Sequence, residues 1–585
     1  MSGGEQQLNS AQEQAVRAPG NCLITACPGS GKTTVLTRRA EFLLKKYPKA
    51  GLLGVTFTSE AAKELHGRIV KLVPASKDSV ICGTFHALCK KQLEKSGVRV
   101  KLVNEFMQTE ILRQAYHDVA TPGDGLTMEA AKAFIDSTKA AVRPMMPHRF
   151  DPRVLVYEGY QERLRQLGAY DFSDLLVLAT RGMQDGKIKP FDVKYILADE
   201  YQDTDQVQAT WLREHLRHGI EVCVVGDDDQ AIYGWRFAQG YKALEDFRRD
   251  AQATHIALNV TYRCASSIME SSARLIMHNN ERIPKSLMTN VPRRGDVQLI
   301  RKGSREEEFR AVVAAIQLSG NPGSWGILAR TNILLSDFET SSGIKVNRIG
   351  GVSIWDLKAP ALFMAICRSL TSGEMDGIAQ VMRGVGMNDA QVEDMLKRYR
   401  SDSPGSLNRF IAENDPPGAS SPLALLRERV RSWMKNLSHG SKEVNLVLHG
   451  IVNFLCNSVK IYEGKRDEEK LRLDMQRLDS CAGTLKKLHG TLNQRIMYLQ
   501  SSENDAESKK DLPKVMTLHA SKGLEFQNVW ILACEEGCIP SPQSPVDEER
   551  RLMYVGMTRA KQSLTLSFAR DVNPVSRFVT EAGIG

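Results

Sequence analysis

The short apolar run Cys22–Ala26 leads directly into Cys27-Pro28-Gly29-Ser30-Gly31-Lys32-Thr33. A segment with Leu36, Ala40, Leu43 and Tyr47 at helical spacing follows. Glycines let such a loop curl, the start of the helix supplies N–H donors, and the lysine adds positive charge. Together these make a cradle for phosphate oxygens. The strand–loop–helix context predicts a parallel sheet covered by helices, an α/β fold. The strict pattern has glycine where Ala26 stands, and Pro28 brings no N–H. From this segment alone an incidental loop stays open as the competing reading.

The alternation of strand and helix continues. Strands are predicted at Cys22–Ala26, Leu52–Thr56, Val80–Gly83, Lys194–Ala198 and Val222–Gly226. A second set is predicted at Val297–Ile300, Gly326–Ala329, Val515–Leu518, Val529–Leu532 and Leu564–Phe568. Two stretches interrupt the pattern and read as helical: about 88 to 168, broken at Thr121–Gly125 and Pro144–Pro147, and about 357 to 505, broken at Ser401–Gly405, Asp415–Pro422 and Asn436–Ser441. Ser501–Pro513 reads as a linker. The expected division is a first core of residues 1–87 and 169–260 with an insertion at 88–168. A second core of 261–356 and 506–585 carries an insertion at 357–505. With 585 residues, 42% hydrophobic and 25% charged, the chain has ordinary globular usage and needs no disulfide or metal staple. No apolar run approaches a membrane span, and the N-terminal MSGGEQQLNS has no signal-peptide core. Eleven scattered cysteines without paired CxxC spacing suggest reduced thiols in a cytoplasmic compartment. A net charge of +9 permits a nucleic-acid partner without demonstrating one.

A second piece of the site is Ile196-Leu197-Ala198-Asp199-Glu200, an apolar strand ending in two acids. Such a pair can hold magnesium through Asp199, with Thr33 as a further ligand. Glu200 can then orient and deprotonate a water. A helix-capping acid pair is the plainer alternative. Lys32 and Asp199 are 167 positions apart, which fits an insertion between them.

The segments Leu8–Gln12, Ala26–Thr33, Val55–Thr58, Gly83–His86, Asp199–Thr204 and Val225–Arg236 occur in this order. Tyr262-Arg263, Arg330–Asn332, Thr517–Phe526 and Tyr554–Ala560 follow. The series spans nearly the whole chain and closely resembles the superfamily 1A helicases of the UvrD/PcrA/Rep type. The resemblance implies two RecA-like parallel-sheet domains, each with an inserted mainly helical subdomain. It implies ATP and Mg2+ as cofactors, single-stranded DNA and single-strand/duplex junctions as partners, and 3′→5′ movement. Monomers and dimers both stay open. The ATP site it implies comprises Gln12 on the adenine edge, Ala26, Gly29, Ser30, Gly31, Lys32, Thr33 and Thr34 around the phosphates, Tyr262 stacked on adenine and Glu525 on the ribose. Gln230 is implied as the γ-phosphate sensor, Arg263 and Arg559 as arginine fingers from the second domain, and Glu200 and Lys32 as catalytic groups.

On the DNA side the resemblance implies Phe57, Tyr233 and Trp235 as stacking platforms with Arg236 beside them. His86 and His519 would touch backbone or bases, and Thr56, Thr58 and Thr84 would offer hydroxyls to phosphates. For Phe85 and Phe172 core packing is an equal alternative. Asp171–Leu176 resembles a segment that returns the chain to the first core, read as structural and coupling against a solvated helix start. Gly350–Val352 resembles the stretch before the second insertion, which places its start near Trp355. Three departures stand out. Thr34 occupies a position where arginine is common, with Arg38 as a candidate substitute. Phe237 stands where glycine is common. The second insertion is the least recognisable part. The chain runs about 25 residues beyond the last segment, so no nuclease or partner-binding extension is expected. A strand-displacing helicase is the first reading. A translocase that strips proteins, or a motor subunit of a larger complex, is the second. A simple kinase explains only Ala26–Thr33.

Overall fold

The computed structural model describes residues 7–121, 125–351, 354–384, 387–399, 405–414, 422–438, 443–458, 468–501 and 508–585. The expected breaks at Thr121–Gly125, Ser401–Gly405, Asp415–Pro422 and Asn436–Ser441 fall wholly or partly outside them, as do Val352 and the middle of Ser501–Pro513.

Among the described residues the strands run in chain order: β1 Cys22–Ala26, β2 Leu52–Thr56, β3 Val80–Thr84, β4 Tyr195–Ala198, β5 Glu221–Gly226, β6 Thr254–Leu258, β7 Val260–Thr261, β8 Met288–Thr289, β9 Asp296–Lys302, β10 Trp325–Ala329, β11 Asn347–Arg348, β12 Lys514–Thr517, β13 Phe526–Ile531 and β14 Ala560–Ala569. The first sheet has the order β3-β2-β4-β5-β1-β6, and its neighbours pair in parallel. Every residue of β1, β2 and β4 is buried, as a sheet covered on both faces requires. The two faces feed separate cores. Ile24, Leu197 and Val225 point to the side packed by Val35, Leu36, Ala40 and Leu43 of the Lys32–Lys46 helix. Leu23, Ile196 and Val224 point to the side packed by Leu175, Trp211 and Leu244. Strand β6 is an edge strand whose Thr254 and His255 are exposed, so no continuous apolar run marks it.

The second sheet has the order β11-β12-β10-β13-β14-β9, with parallel pairing of β10 to β12 and β13 and of β11 to β12. Phe309, Val312, Phe338 and Trp530 form its core.

Both interruptions are helical. The helices Phe85–Lys95, Glu105–Val119, Met128–Lys139 and Pro152–Gln166 separate β3 from the returning Phe172–Gln184 helix. The last three pack around Ile111, Leu112, Ile135, Val156 and Leu164. Lys139, on the inserted Met128–Lys139 helix, ion-pairs with Asp171 at 2.5 Å and Asp174 at 2.7 Å, and Tyr160 donates to Asp171 at 2.9 Å. Asp171 is 1% exposed. The return segment is therefore a buried ionic joint and not a solvated helix start. The second insertion opens with the short turn Ile354–Asp356. It builds its own core from Phe363, Ile366, Leu448, Ile451, Leu478 and Leu485.

By density of contacts the chain forms two compact units. One holds residues 1–297, 540–563 and 577–585, and the other 298–539 and 564–576. Among the described residues no helix is long and apolar enough to cross a membrane.

Candidate active site

In a parallel sheet the groups that can meet a ligand sit beyond the carboxyl ends of the strands. The first sheet follows this rule at every strand. The glycine loop leaves β1, Phe57 and Thr58 leave β2, and Phe85 and His86 leave β3. Asp199 and Glu200 leave β4, Asp227 leaves β5, and the chain after β6 leads through β7 to Tyr262 and Arg263.

Gly29 and Gly31 both have left-handed backbone, at φ +75° and +84°. A methyl group added at Gly29 would lie 2.4 Å from Arg263 Cβ and 2.7 Å from Thr261 Oγ1, so the close approach of 261–263 requires glycine. Ser30 is 1% exposed, and its Oγ has no hydrogen-bond partner among the described residues. A buried hydroxyl without a partner, beside two left-handed glycines and a helix start, fits a bound phosphate. Gln12 braces the loop from behind. Its Nε2 donates to the Ser30 carbonyl at 2.9 Å, while its Oε1 accepts the Asn9 N–H at 2.9 Å. One N–H and one lone pair of the amide are left for a base edge. Tyr262 joins the same corner: its hydroxyl accepts from Asn9 Nδ2 at 2.8 Å, and its backbone N–H donates to the Gly29 carbonyl.

Lys32 Nζ donates to Glu200 Oε1 at 2.9 Å. Burial works against the lysine's charge, but the carboxylates of Glu200, Asp199 and Asp227 outweigh it and hold its pKa above the ordinary value. Glu200 has left-handed backbone at φ +49°, a strained position for a residue with a side chain. Its Oε2 accepts from Gln202 Nε2, and Gln202 Oε1 in turn accepts the Asp227 N–H at 2.9 Å. Asp227 Oδ2 accepts from Gln230 Nε2 at 2.6 Å, and Gln230 Oε1 accepts from Arg559 Nη2 at 3.1 Å. Arg263 Nη1 donates to the Thr558 carbonyl at 3.4 Å. Residues 261–297 and 540–563 belong to the compact unit that carries the glycine loop, so both arginines stand in one unit with Lys32. Thr33 and Thr34 are half-buried in the first turn of the Lys32–Lys46 helix. Arg38 pairs with Glu41 at 2.8 Å, which ties it to its own helix.

A second surface of the same unit is aromatic. Phe57 and Tyr233 stack with centroids 5.9 Å apart and planes 6° from parallel, and Trp235 meets Tyr233 edge-on. The Arg236 guanidinium lies 4.4 Å from the Trp235 ring centre. Trp235 is 59% exposed and Phe172 55% exposed, and Phe172 meets His86 edge-on. Phe85 is buried against Trp211 and belongs to the core.

Residues 8–252 match the UvrD/REP helicase N-terminal domain, and residues 438–571 match the UvrD-like helicase C-terminal domain. The chain belongs to the UvrD-like helicase family. Among relatives, DNA helicase II of Escherichia coli (strain K12) is 28% identical, over 96% of this chain and 84% of its own. DNA helicase II of Haemophilus influenzae is 27% identical over 96% and 84%. The ATP-dependent DNA helicase PcrA of Bacillus subtilis (strain 168) is 26% identical over 98% and 85%. The two sheets of this UvrD-like helicase are thus its two RecA-like domains, each interrupted by helices.

Not every residue named from the sequence presents its side chain to a ligand. Thr56 is 3% exposed and its hydroxyl donates to the Thr58 carbonyl at 2.9 Å. Its place is to brace the turn after β2, not to meet a phosphate. Thr58 and Thr84 accept the N–H groups of Ala61 and Ala87 as helix caps, which leaves their hydroxyl protons to donate. Ala26 is buried at the end of β1. Glu525 and His519 belong to the other compact unit: Glu525 is exposed just before β13, and His519 is half-buried in a turn after β12. Sequence reasoning does not single out Gln202 and Asp227, although both lie inside segments that carry the resemblance.

Phe237 adopts left-handed backbone at φ +63°, at the position where the family commonly has glycine. That conformation costs a residue with a Cβ about 1–2 kcal/mol, against roughly 0.5–1 kcal/mol for a glycine's extra chain entropy. The ring is 40% exposed, so more than half of the residue is out of water and that burial is lost in the exchange. Relief of strain and loss of burial oppose each other, so Phe237→Gly is expected to shift stability by no more than about 1 kcal/mol, read from the urea midpoint. A midpoint lowered by more than that would mean that the ring holds the loop.

Proposed function

We propose that this UvrD-like helicase is an ATP-dependent 3′→5′ DNA helicase that moves on single strands and unwinds duplex in DNA repair or replication. The observation that carries the reading is the convergence of Lys32, Glu200, Gln230, Arg263 and Arg559 beyond β1, β4 and β5, with a stacked aromatic row beside it. The four-part division read from the sequence belongs to the same proposal.

In this reading Gly29, Ser30, Gly31, Lys32 and Thr33 hold the phosphates of ATP. Thr33 and Asp199 ligate magnesium, which when bound neutralises phosphate charge. Glu200 orients the attacking water and takes its proton. Gln230 contacts the γ-phosphate, and Arg263 and Arg559 stabilise charge on the transferring group. Gln12 and Tyr262 hold the base; the ribose role of Glu525 rests on the family resemblance alone. Arg559 immediately precedes β14, so its grip on the phosphate is linked through the backbone to the second sheet. Hydrolysis releases that grip, giving a nucleotide-driven two-state element.

The DNA track of this unit comprises Phe57, Tyr233, Trp235, Arg236, Thr58, Thr84 and His86; the DNA role of His519 rests on the family resemblance alone. Burial holds the His86 pKa below its ordinary value, opposed by Asp171, so His86 meets DNA as a neutral ring. Stacking on an aromatic face is worth about 1–3 kcal/mol per base, so Trp235→Ala is expected to weaken single-strand binding roughly tenfold. DNA-stimulated ATPase then falls more than DNA-independent ATPase. Full stimulation in that variant would remove Trp235 from the track.

Strand displacement on a 3′-tailed duplex tests the whole reading, with ATPase compared across single-stranded DNA, duplex and RNA. ATP-dependent opening of the 3′-tailed substrate and not of a 5′-tailed one is the expected result. DNA-stimulated ATPase with no strand displacement would leave a translocase in its place.

A further inference from the structure

Outside the motifs, the segment that follows the Ser266–Ile276 helix carries a lysine whose side chain is entirely buried. Lys285 Nζ lies 2.5 Å from Asp227 Oδ1, 2.6 Å from Asp228 Oδ1 and 3.1 Å from Asp229 Oδ2. Arg282 grips Asp229 through two bonds, of 3.0 and 2.8 Å. The Ile283 N–H donates to Asp228 Oδ2 at 2.7 Å. The three carboxylates are close enough together to hold a metal ion. The chain supplies an ammonium there instead.

A buried ammonium among three carboxylates has a plain explanation: it balances charge. The connections of Asp227 add something that charge balance does not require. One oxygen of Asp227 takes the lysine. The other accepts from Gln230 Nε2, and Gln230 Oε1 accepts from Arg559. An ionised carboxylate is an acceptor only. It therefore forces the NH2 of Gln230 toward itself and turns the amide oxygen toward Arg559. A rotated Asp227 carboxylate would impose no such orientation. The Asp227 N–H meanwhile anchors Gln202, which holds the Glu200 carboxylate.

We propose that Lys285 is a positioning residue for phosphoryl transfer: by holding the Asp227 carboxylate in place it fixes the orientation of Gln230 and, through Gln230, of Arg559. The assignment rests on the ATPase reading above. Burial opposes the charge on Lys285, but the attraction of Asp227, Asp229 and Asp228 overrides it and keeps its pKa well above the ordinary value. Burial also lifts Asp228 to about 6, so Asp228 is the member that tolerates neutralisation.

The test uses the full chain with two variants. Lys285→Met leaves an excess of buried negative charge and is expected to melt lower and to turn over slowly. Lys285→Met/Asp228→Asn restores the net charge of the cluster, and the amide oxygen of the introduced asparagine can still accept from the Ile283 N–H. The melting temperature of the double variant is expected to return to within a few degrees of wild type. With saturating single-stranded DNA its kcat is expected to stay about tenfold down or more, with the KM for ATP within about threefold, because a misplaced group away from the chemistry affects turnover before binding. Recovery of kcat together with stability would reduce Lys285 to a charge balance and overturn the proposal. Failure of both variants to fold would overturn it equally, by making the lysine a stability residue. A wild-type chain without DNA-stimulated ATPase would instead overturn the helicase reading.

Discussion

Glu200→Gln is expected to lower ATP turnover about 10³-fold, the loss that follows removal of a positioned general base. Affinity moves the other way. Lys32 donates to Glu200, so a phosphate must compete with the carboxylate for the ammonium. The two side chains are 14% and 28% exposed, and a pair of that kind is worth ~1 kcal/mol, about fivefold in affinity. The glutamine of the variant keeps an oxygen for Lys32 but not the charge, so ATP should bind severalfold more tightly. Equilibrium binding of a fluorescent ATP analogue and single-turnover hydrolysis with single-stranded DNA read the two effects separately. Normal turnover in the variant would take Glu200 out of the base role. Weaker nucleotide binding would mean that the Lys32–Glu200 pair organises the loop and does not compete with phosphate.

Among the parts of the fold most visible in the sequence are strands buried on both faces. Cys22–Ala26 and Leu52–Thr56 are continuous apolar or small-residue runs, and the strands begin and end on those residues. Thr254–Leu258 is hidden because an edge strand exposes part of itself, and Thr254 and His255 break the run. Buried polar links are harder still to read. Lys285 lies 58 positions from Asp227, in a segment with no glycine or aromatic punctuation, and a lysine in a sequence reads as solvated surface. Only three-dimensional proximity shows that it meets three carboxylates. Thr56 illustrates the converse. A hydroxyl at a strand end reads as a phosphate donor, yet the turn after β2 uses it internally. The departure at Phe237 is visible as a residue type, but its strain needs the backbone angle.

Arg559 carries the second large effect, with opposite signs for stability and turnover. Its side chain is among the largest that are fully buried. Nε donates to the Val555 carbonyl at 2.8 Å, and Nη2 to Gln230 and to Thr558 Oγ1, both at 3.1 Å. Burial first, and then the like charge of Arg263, push its pKa down to about 9. At pH 7 the group is still charged. Because the folded-state value lies below the ordinary one, the charge costs stability at all pH values below about 9, and the cost fades as pH rises through that region. A bound triphosphate would offset it. Arg559→Met removes the buried charge while keeping much of the volume; the desolvation cost it relieves is set against the hydrogen bonds to Val555, Gln230 and Thr558 that it gives up. The ligand-free variant should therefore melt level with wild type or a few degrees above it, and any difference should shrink between pH 7 and pH 10. A non-hydrolysable ATP analogue should stabilise wild type more than the variant. Turnover should fall by about 10³-fold or more, as expected for loss of an arginine finger. A ligand-free variant melting more than about 5 °C below wild type would show that the guanidinium serves chiefly to hold the Val546–Met557 helix in place. Retained turnover would show that Arg263 alone stabilises the transferring phosphoryl.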